Sequence, residues 1–226
     1  AEVNNLNTAR IFLAGAGTST STLGFGGRND AGSRTALTES WNGTSWTEVA
    51  DLNLARDQLG QAGASNTSAL AFGGMVPPQT AVTESWNGSS WTEVSDLNTA
   101  RFAFGSAGIQ TSALAFGGDA PPYTAVTESW NGSSWTEVND LNTARRYLSG
   151  TGADNTAALA IGGQPPSNST VANTESWNGS NWTNENLLNT ARQANPGTAG
   201  PSSVALAFGG ATPVTGQTAT TEEWYS

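Results

Sequence analysis

The chain has no cysteine, no histidine and no lysine, and a single methionine. Those gaps exclude several chemistries outright. Without His or Cys there is no Ser-His or Cys-His nucleophile pair and no His/Cys metal site, and without Lys there is no Schiff base. Disulfides are excluded as well, although the lack of Cys says nothing firm about redox compartment. Charged residues are only 12% of the 226, and all eight cations are Arg against 18 acids, a net charge of −10. So acidic a chain would be repelled by phosphate backbones, and nucleic acid is not an expected partner. No apolar run approaches the roughly 18 residues that cross a bilayer, so membrane insertion is not expected either. The first residue is Ala1 rather than Met, which suggests a processed product or an excised piece of something longer.

What is present is a repeat. Thr83–Val94 reads Thr-Glu-Ser-Trp-Asn-Gly-Ser-Ser-Trp-Thr-Glu-Val and recurs unchanged at Thr127–Val138, with close variants at Thr38–Val49 and Thr174–Glu185 and a truncated one from Thr221. A Gly pair precedes each block, at Gly26-Gly27, Gly73-Gly74, Gly117-Gly118, Gly162-Gly163 and Gly209-Gly210. Arg10, Arg56, Arg101, Arg145 and Arg192 recur at gaps of 46, 45, 44 and 47 residues. Such periods mean stacked or radial architectures, in which one unit cannot bury its apolar face alone. Nine Trp compensate for a hydrophobic content of only 36%, because each buries a large area.

One unit, Phe102 to Arg145, breaks into four alternating segments joined by turn residues. These predict strands A to D: Phe102–Gly108, Ala113–Phe116, Val126–Trp130 and Ser134–Val138. Leu114 and Phe116 point to one face of strand B while Ala113 and Ala115 point to the other, so a large face can meet a small face on the next sheet. Trp86 and Trp91 share one sheet face whether the C–D hairpin loop holds two residues or four. The same holds for Trp41/Trp46, Trp130/Trp135 and Trp177/Trp182, leaving Trp224 alone. These Trp are expected to pack between blades; stacking on sugar rings is the rival reading. Asn42-Gly43, Asn87-Gly88, Asn131-Gly132 and Asn178-Gly179 lie within N-glycosylation patterns but are read as two-residue hairpin turns, both residues tolerating positive φ.

The expected fold is therefore all-β: a single five-bladed β-propeller over 1–226 with four antiparallel strands per blade. Its units run over about 11–56, 57–101, 102–145, 146–192, and 193–226 together with 1–10. The chain stops inside the block at Glu222-Glu223-Trp224-Tyr225-Ser226 and starts at Ala1-Glu2-Val3-Asn4-Asn5-Leu6, where Thr-Glu-Val-Asn-Asp-Leu would follow. The N-terminal segment is expected to supply strand D of the last blade and so remove its open edge.

An apolar strand ending in Gly-Gly, a Glu two residues before an aromatic, a Trp beyond the next turn and an Arg before the next unit resemble the kelch motif. The resemblance runs through essentially the whole chain. It departs from the family in having Trp where Tyr is usual in strand C, Asn-Gly in place of a longer turn, and five units rather than six or seven. The short, Thr/Asn-rich, nearly identical units are similar to those of bacterial or phage surface proteins, which implies an extracellular or virion surface. Such near-identity also fits recent duplication or design. Copper oxidases on kelch-like propellers need His ligands, which this chain lacks.

Of enzyme chemistries only a carboxylate pair of the glycosidase kind survives, and strand A holds few acids, Asp57 and Asp154. No catalytic residue, cofactor or metal is expected. The repeated Glu39, Glu84, Glu128, Glu175 and Glu222 are read as partners of the repeated Arg, one charge-assisted pair per blade. Asp51, Asp96 and Asp140 also repeat, but Asn5 and Leu187 break the series, which argues against a calcium site in every blade.

Between repeats the C–D turn scarcely varies, whereas the B–C loops (28–36, 75–80, 119–124, 164–172, 211–219) and the first residues of strand A vary strongly. Three B–C loops carry Pro-Pro, which stiffens them. The variable positions gather Phe12, Arg28, Arg34, Asp57, Met75, Phe102, Tyr123, Arg146 and Tyr147, the aromatic-plus-Arg mixture of interface anchors on rigidly held loops. The expected function is a non-enzymatic binding module that recognises a protein or a carbohydrate through these loops. The alternatives are a lectin with equivalent inter-blade pockets lined by Trp86, Trp91, Asn87 and Glu84, and a structural scaffold without a ligand.

Overall fold

Alternation of small and large residues over Ala113-Leu114-Ala115-Phe116 makes a strand that is buried on both faces, and the computed structural model shows all four side chains inaccessible. It describes residues 2–193, 197–213 and 216–225. These fold as strands and turns with no helix, so none is long and apolar enough to cross a membrane. The chain divides into two compact units, Ala1–Phe102 and Ala103–Ser226, and sheets stack in a β-propeller-like manner inside each.

The first unit holds two four-stranded antiparallel sheets in sequential order. The first blade is β1 (Ala14–Thr18), β2 (Ser21–Phe25), β3 (Thr38–Trp41) and β4 (Trp46–Glu48); the second is β5 (Gly60–Ser65), β6 (Ser68–Phe72), β7 (Thr83–Trp86) and β8 (Trp91–Val94). The second unit continues with β9 (Gly105–Ile109), β10 (Ser112–Phe116), β11 (Thr127–Trp130) and β12 (Trp135–Val138), then β13 (Ser149–Asp154), β14 (Ala157–Ile161), β15 (Thr174–Trp177) and β16 (Trp182–Asn184). Its last part is a three-stranded sheet of β17 (Gly197–Ala199), β18 (Val204–Phe208) and β21 (Thr221–Tyr225), beside a two-stranded ribbon of β19 (Ala211–Thr212) and β20 (Gly216–Gln217).

Among the described residues, four complete four-stranded blades are present rather than five. The N-terminal segment expected to finish the last one does not do so: residues 2–6 form no strand. Polar side chains of that stretch bond to the first blade instead, Asn4 Nδ2 donating to Thr44 O and Asn7 Nδ2 to Trp46 O.

Large-against-small stacking holds within both units. Leu23 and Phe25 of the first blade pack on Ala69, Ala71, Trp86 and Trp91 of the second. Leu114 and Phe116 pack on Ala158, Ala160, Trp177 and Trp182, and Leu159 and Ile161 on Ala205, Ala207 and Trp224. Each buried large side chain contributes about 1.5–3 kcal/mol, and only a facing Ala leaves room for it. A bulkier residue at Ala71 or Ala160 would overpack the contact.

The Trp pairs close each interface. Trp86 sits directly opposite Trp91, ring centroids 5.3 Å apart, and Trp91 meets Phe25 edge-on at 5.0 Å. Both indoles of this pair have partners: Trp86 Nε1 donates to Asn66 O, and Trp91 Nε1 to Thr38 Oγ1 of the preceding blade. Trp182 repeats that bond with Thr127 Oγ1 at 3.0 Å. This direct opposition makes the C–D loop four residues long, which corrects the two-residue Asn-Gly turn. Only the Gly takes positive φ (95° at Gly43, 94° at Gly88). The Asn instead works through its side chain: Asn87 Oδ1 accepts from Ser89 N, Ser90 N and Ser89 Oγ at 2.9 Å each.

Candidate functional site

Repeated Arg and Glu residues occupy the interior of each blade's loop end. Arg56 is fully buried; its Nη1 donates to Gly73 O at 3.0 Å and its Nη2 to Glu84 Oε1 at 3.0 Å. Glu84 uses its other oxygen for Asn53 N and Nδ2, at 2.7 and 2.8 Å. Arg10 with Glu39, Arg145 with Glu175 and Arg192 with Glu222 repeat the arrangement. Burial lowers the Arg56 pKa to about 10, opposed chiefly by the charge of Glu84, and lowers that of Arg145 in the same way. The carboxylate thus serves to keep a buried guanidinium charged and bonded. Asp51, Asp96 and Asp140 cap strand C, each accepting from the backbone N–H of Thr38, Thr83 or Thr127.

The variable residues form two clusters, one in each unit. In the first, Asp57 is buried and its carboxylate is held between Arg28 Nε and Arg34 Nε, the latter at 2.8 Å. Met75 pairs with Asp57 through the main chain, its N–H donating to Asp57 O at 2.8 Å. Phe12, 42% exposed, lies 6.0 Å from the Arg28 guanidinium, beside the exposed Ile11. Two guanidinium groups thus converge on one buried carboxylate.

In the second cluster Arg146 is flanked by two rings, Tyr123 at 4.2 Å and Tyr147 at 4.8 Å from its guanidinium carbon. Its Nη1 donates to Asp119 Oδ2 at 2.6 Å, and its Nε and Nη2 to Gln164 Oε1 at 3.2 Å. Tyr123 OH donates to Asn168 Oδ1 at 3.0 Å. The guanidinium plane is thereby fixed in a cation–π arrangement, with its side chain 23% exposed. Sequence reasoning missed Asp119, Gln164 and Asn168; the available signal was that all three lie in variable B–C loops. Phe102 is partly buried at the end of the first unit and joins no cluster described here. Ala194 and residues 214–215, which belong to variable segments, lie outside the described residues.

These clusters are placed by an unusual backbone. Phe12, Gln58, Ala103 and Tyr147, the second residue of strand A in successive repeats, all have φ between 52° and 56°. For a non-glycine residue that conformation costs about 1–2 kcal/mol. At two of them a main-chain bond to the preceding blade offsets it: Gln58 N donates to Phe12 O at 3.0 Å, and Tyr147 N to Ala103 O at 2.7 Å.

Residues of the alternative pockets are placed differently. Trp86, Trp91 and Glu84 are buried, and only Asn87 of the four is exposed. The two acids of strand A are engaged locally, Asp57 as above and Asp154 as a turn cap. Hydrogen bonds from Thr156 Oγ1 and N hold the Asp154 carboxyl below its usual range. Among the described residues no group of three or more acids is placed to hold a metal ion.

Compared with known proteins, the chain matches no family model and no curated protein.

Proposed function

We propose that the chain is a non-enzymatic binding module that recognises a protein partner through its B–C and D–A loop ends. Within this reading the repeats are of the kelch type, and the three-stranded sheet is a fifth, incomplete blade. One observation carries it: the repeated Trp pairs and Arg–Glu pairs are taken up in packing and ion pairs, whereas the variable Phe12, Arg28, Arg34 and Arg146 reach solvent. Differing loops on a uniform scaffold suit one asymmetric partner better than five copies of a sugar pocket. Buried Trp86 and Trp91 have no ring face to offer a sugar.

Selection of a displayed peptide library on the immobilised chain tests this. The expected result is peptides whose binding falls at least about tenfold with Arg146→Ala or Phe12→Ala, the loss of one interface anchor. Peptides indifferent to both substitutions would remove the loop site. A glycan array showing saturable binding at several sites per chain would replace it with the lectin reading.

A further inference from the structure

The C–D turns carry a feature that neither blade packing nor the loop clusters use. Each contains Asn-Gly-Ser or Asn-Gly-Thr, beginning at Asn42, Asn87, Asn131 and Asn178. In each, the Asn and the hydroxyl residue two places on are exposed. The turn takes up the amide oxygen. Asn42 Oδ1 accepts from Thr44 N at 2.9 Å, Thr44 Oγ1 at 2.8 Å and Ser45 N at 2.9 Å. Asn87 and Asn131 repeat all three bonds, and Asn178 keeps the two from main-chain N–H groups. The amide nitrogens are left over. Among the described residues Nδ2 of Asn42, Asn131 and Asn178 has no protein partner, and Asn87 Nδ2 has only Ser90 Oγ, at 3.3 Å.

Three further Asn-x-Ser/Thr runs begin at Asn66, Asn168 and Asn181, and the fold places each of them differently. Asn66 is partly buried, its Nδ2 donating to Ser40 Oγ at 3.0 Å and to Trp41 O at 3.1 Å. Asn181 leads straight into β16; the middle residue of its run is the buried Trp182, and its Oδ1 accepts from Asn139 Nδ2 at 2.8 Å. Asn168 is exposed, but its Oδ1 accepts from Tyr123 OH rather than from its own Thr170. Of the seven runs, only those in the C–D turns combine an exposed Asn with an amide oxygen held by the residue two places on.

We propose that Asn42, Asn87, Asn131 and Asn178 are acceptors for N-linked sugar in the folded chain. An amide nitrogen is a poor nucleophile until it gives up a proton. Donors on Oδ1 draw the amide's charge toward oxygen and make that proton easier to lose. Under an N-glycosyltransferase, Nδ2 bonds to the anomeric carbon of a diphosphate-activated sugar. The bond from that carbon to the diphosphate oxygen breaks, the diphosphate leaves with the electron pair, and one Nδ2 proton passes to a base of the transferase. A hairpin tip suits this encounter because it protrudes and its main-chain pairing need not open. The turns lie at the other end of strand C from the B–C loops, so sugar there leaves the proposed partner site uncovered. Failure of this inference would equally leave that site untouched.

Two reactions on the folded, full-length chain decide it. One uses a soluble N-glycosyltransferase with a nucleotide-activated hexose, the other a membrane oligosaccharyltransferase with a lipid-linked diphosphate sugar. A synthetic Asn-Gly-Thr peptide shows that each enzyme is active, and circular dichroism that the chain stays folded. The expected result is sugar at Asn42, Asn87, Asn131 and Asn178 in at least one reaction, read by intact mass and peptide mapping; the reaction that works identifies the donor. Thr44→Ala should lose the sugar at Asn42 alone, with the other three turns as internal controls, and Thr44→Ser should keep it. No transfer to the folded chain in either reaction would overturn the proposal. So would transfer that is as efficient at Asn66, Asn168 and Asn181, since the sequence pattern alone would then choose the site.

Discussion

Arg145 and Arg146 are neighbours in the chain and have little else in common. Arg145 is fully buried, with Nε on Gly162 O at 2.8 Å and Nη1 on Thr143 O and Glu175. Arg146 keeps about a quarter of its side chain in solvent, between two tyrosine rings. The first has a counterpart in each repeat and the second has none. A buried guanidinium held by one carboxylate and several carbonyls is a joint between loop and strand. A partly exposed one held flat by aromatic rings is the side chain on which the proposed partner site rests. Charge alone does not separate them, and neither does the number of hydrogen bonds, three for each; burial and the kind of neighbour do.

The sharpest way to break this contrast is to remove the anion beneath Arg145. Glu175→Ala leaves an uncompensated buried charge and should cost ~3–5 kcal/mol, a fall in melting temperature of about 10 °C or more. A loss below about 1 kcal/mol in urea unfolding would mean that the Arg–Glu joints are not what holds the loops.

A milder version of the same joint lies at Arg192–Glu222, where burial pushes the Glu222 carboxyl up but bonds from Asn189 N and Arg192 outweigh it, leaving the pKa lowered. Its contribution is fully present above the ordinary Glu value of about 4.3 and is lost as pH falls through the lowered folded value. Melting temperature measured from neutral pH downward should therefore drop more for the wild-type chain than for Glu222→Gln. Parallel curves would show that this joint carries no linkage.

In the C–D turn, Asn131→Ala removes the acceptor for Ser133 N, Ser134 N and Ser133 Oγ and should cost about 1 kcal/mol, the worth of a typical capping side chain. Smallest of all, Arg146→Ala should lower stability by only about 0.5–1 kcal/mol, the value of an exposed cation–π contact, while weakening binding of the selected peptides at least about tenfold. A large loss of stability there would make Arg146 a second joint and end the distinction.

Much of this architecture is legible in the sequence because the repeat presents it several times over. Strand order, the large and small faces of strand B, the shared face of Trp86 and Trp91 and the pairing of Arg56 with Glu84 follow from alternation and from charges recurring in phase. The turn was misread because Asn-Gly fits two hairpin geometries, and only the register of Trp86 opposite Trp91 separates them. Phe12 and Tyr147 could not be recognised as left-handed, since neither residue type favours that conformation; it goes with main-chain bonds between neighbouring blades, which the fold alone brings together. At the loop ends, Arg146 and Tyr147 stood out by differing from their counterparts. Asp119 and Gln164, which orient them, are ordinary loop residues until the fold brings them together. The last sheet departs furthest: residues 2–6, whose sequence is in register for strand D, form no strand.

The left-handed positions also bear on how such a chain can change. At Phe12, Gln58, Ala103 and Tyr147 the link to the neighbouring blade is made by main-chain atoms alone. An aromatic, an amide and a methyl have all been accommodated there without disturbing it. New recognition residues can therefore be tried one blade at a time, by single substitutions, while the stacking beneath is inherited intact.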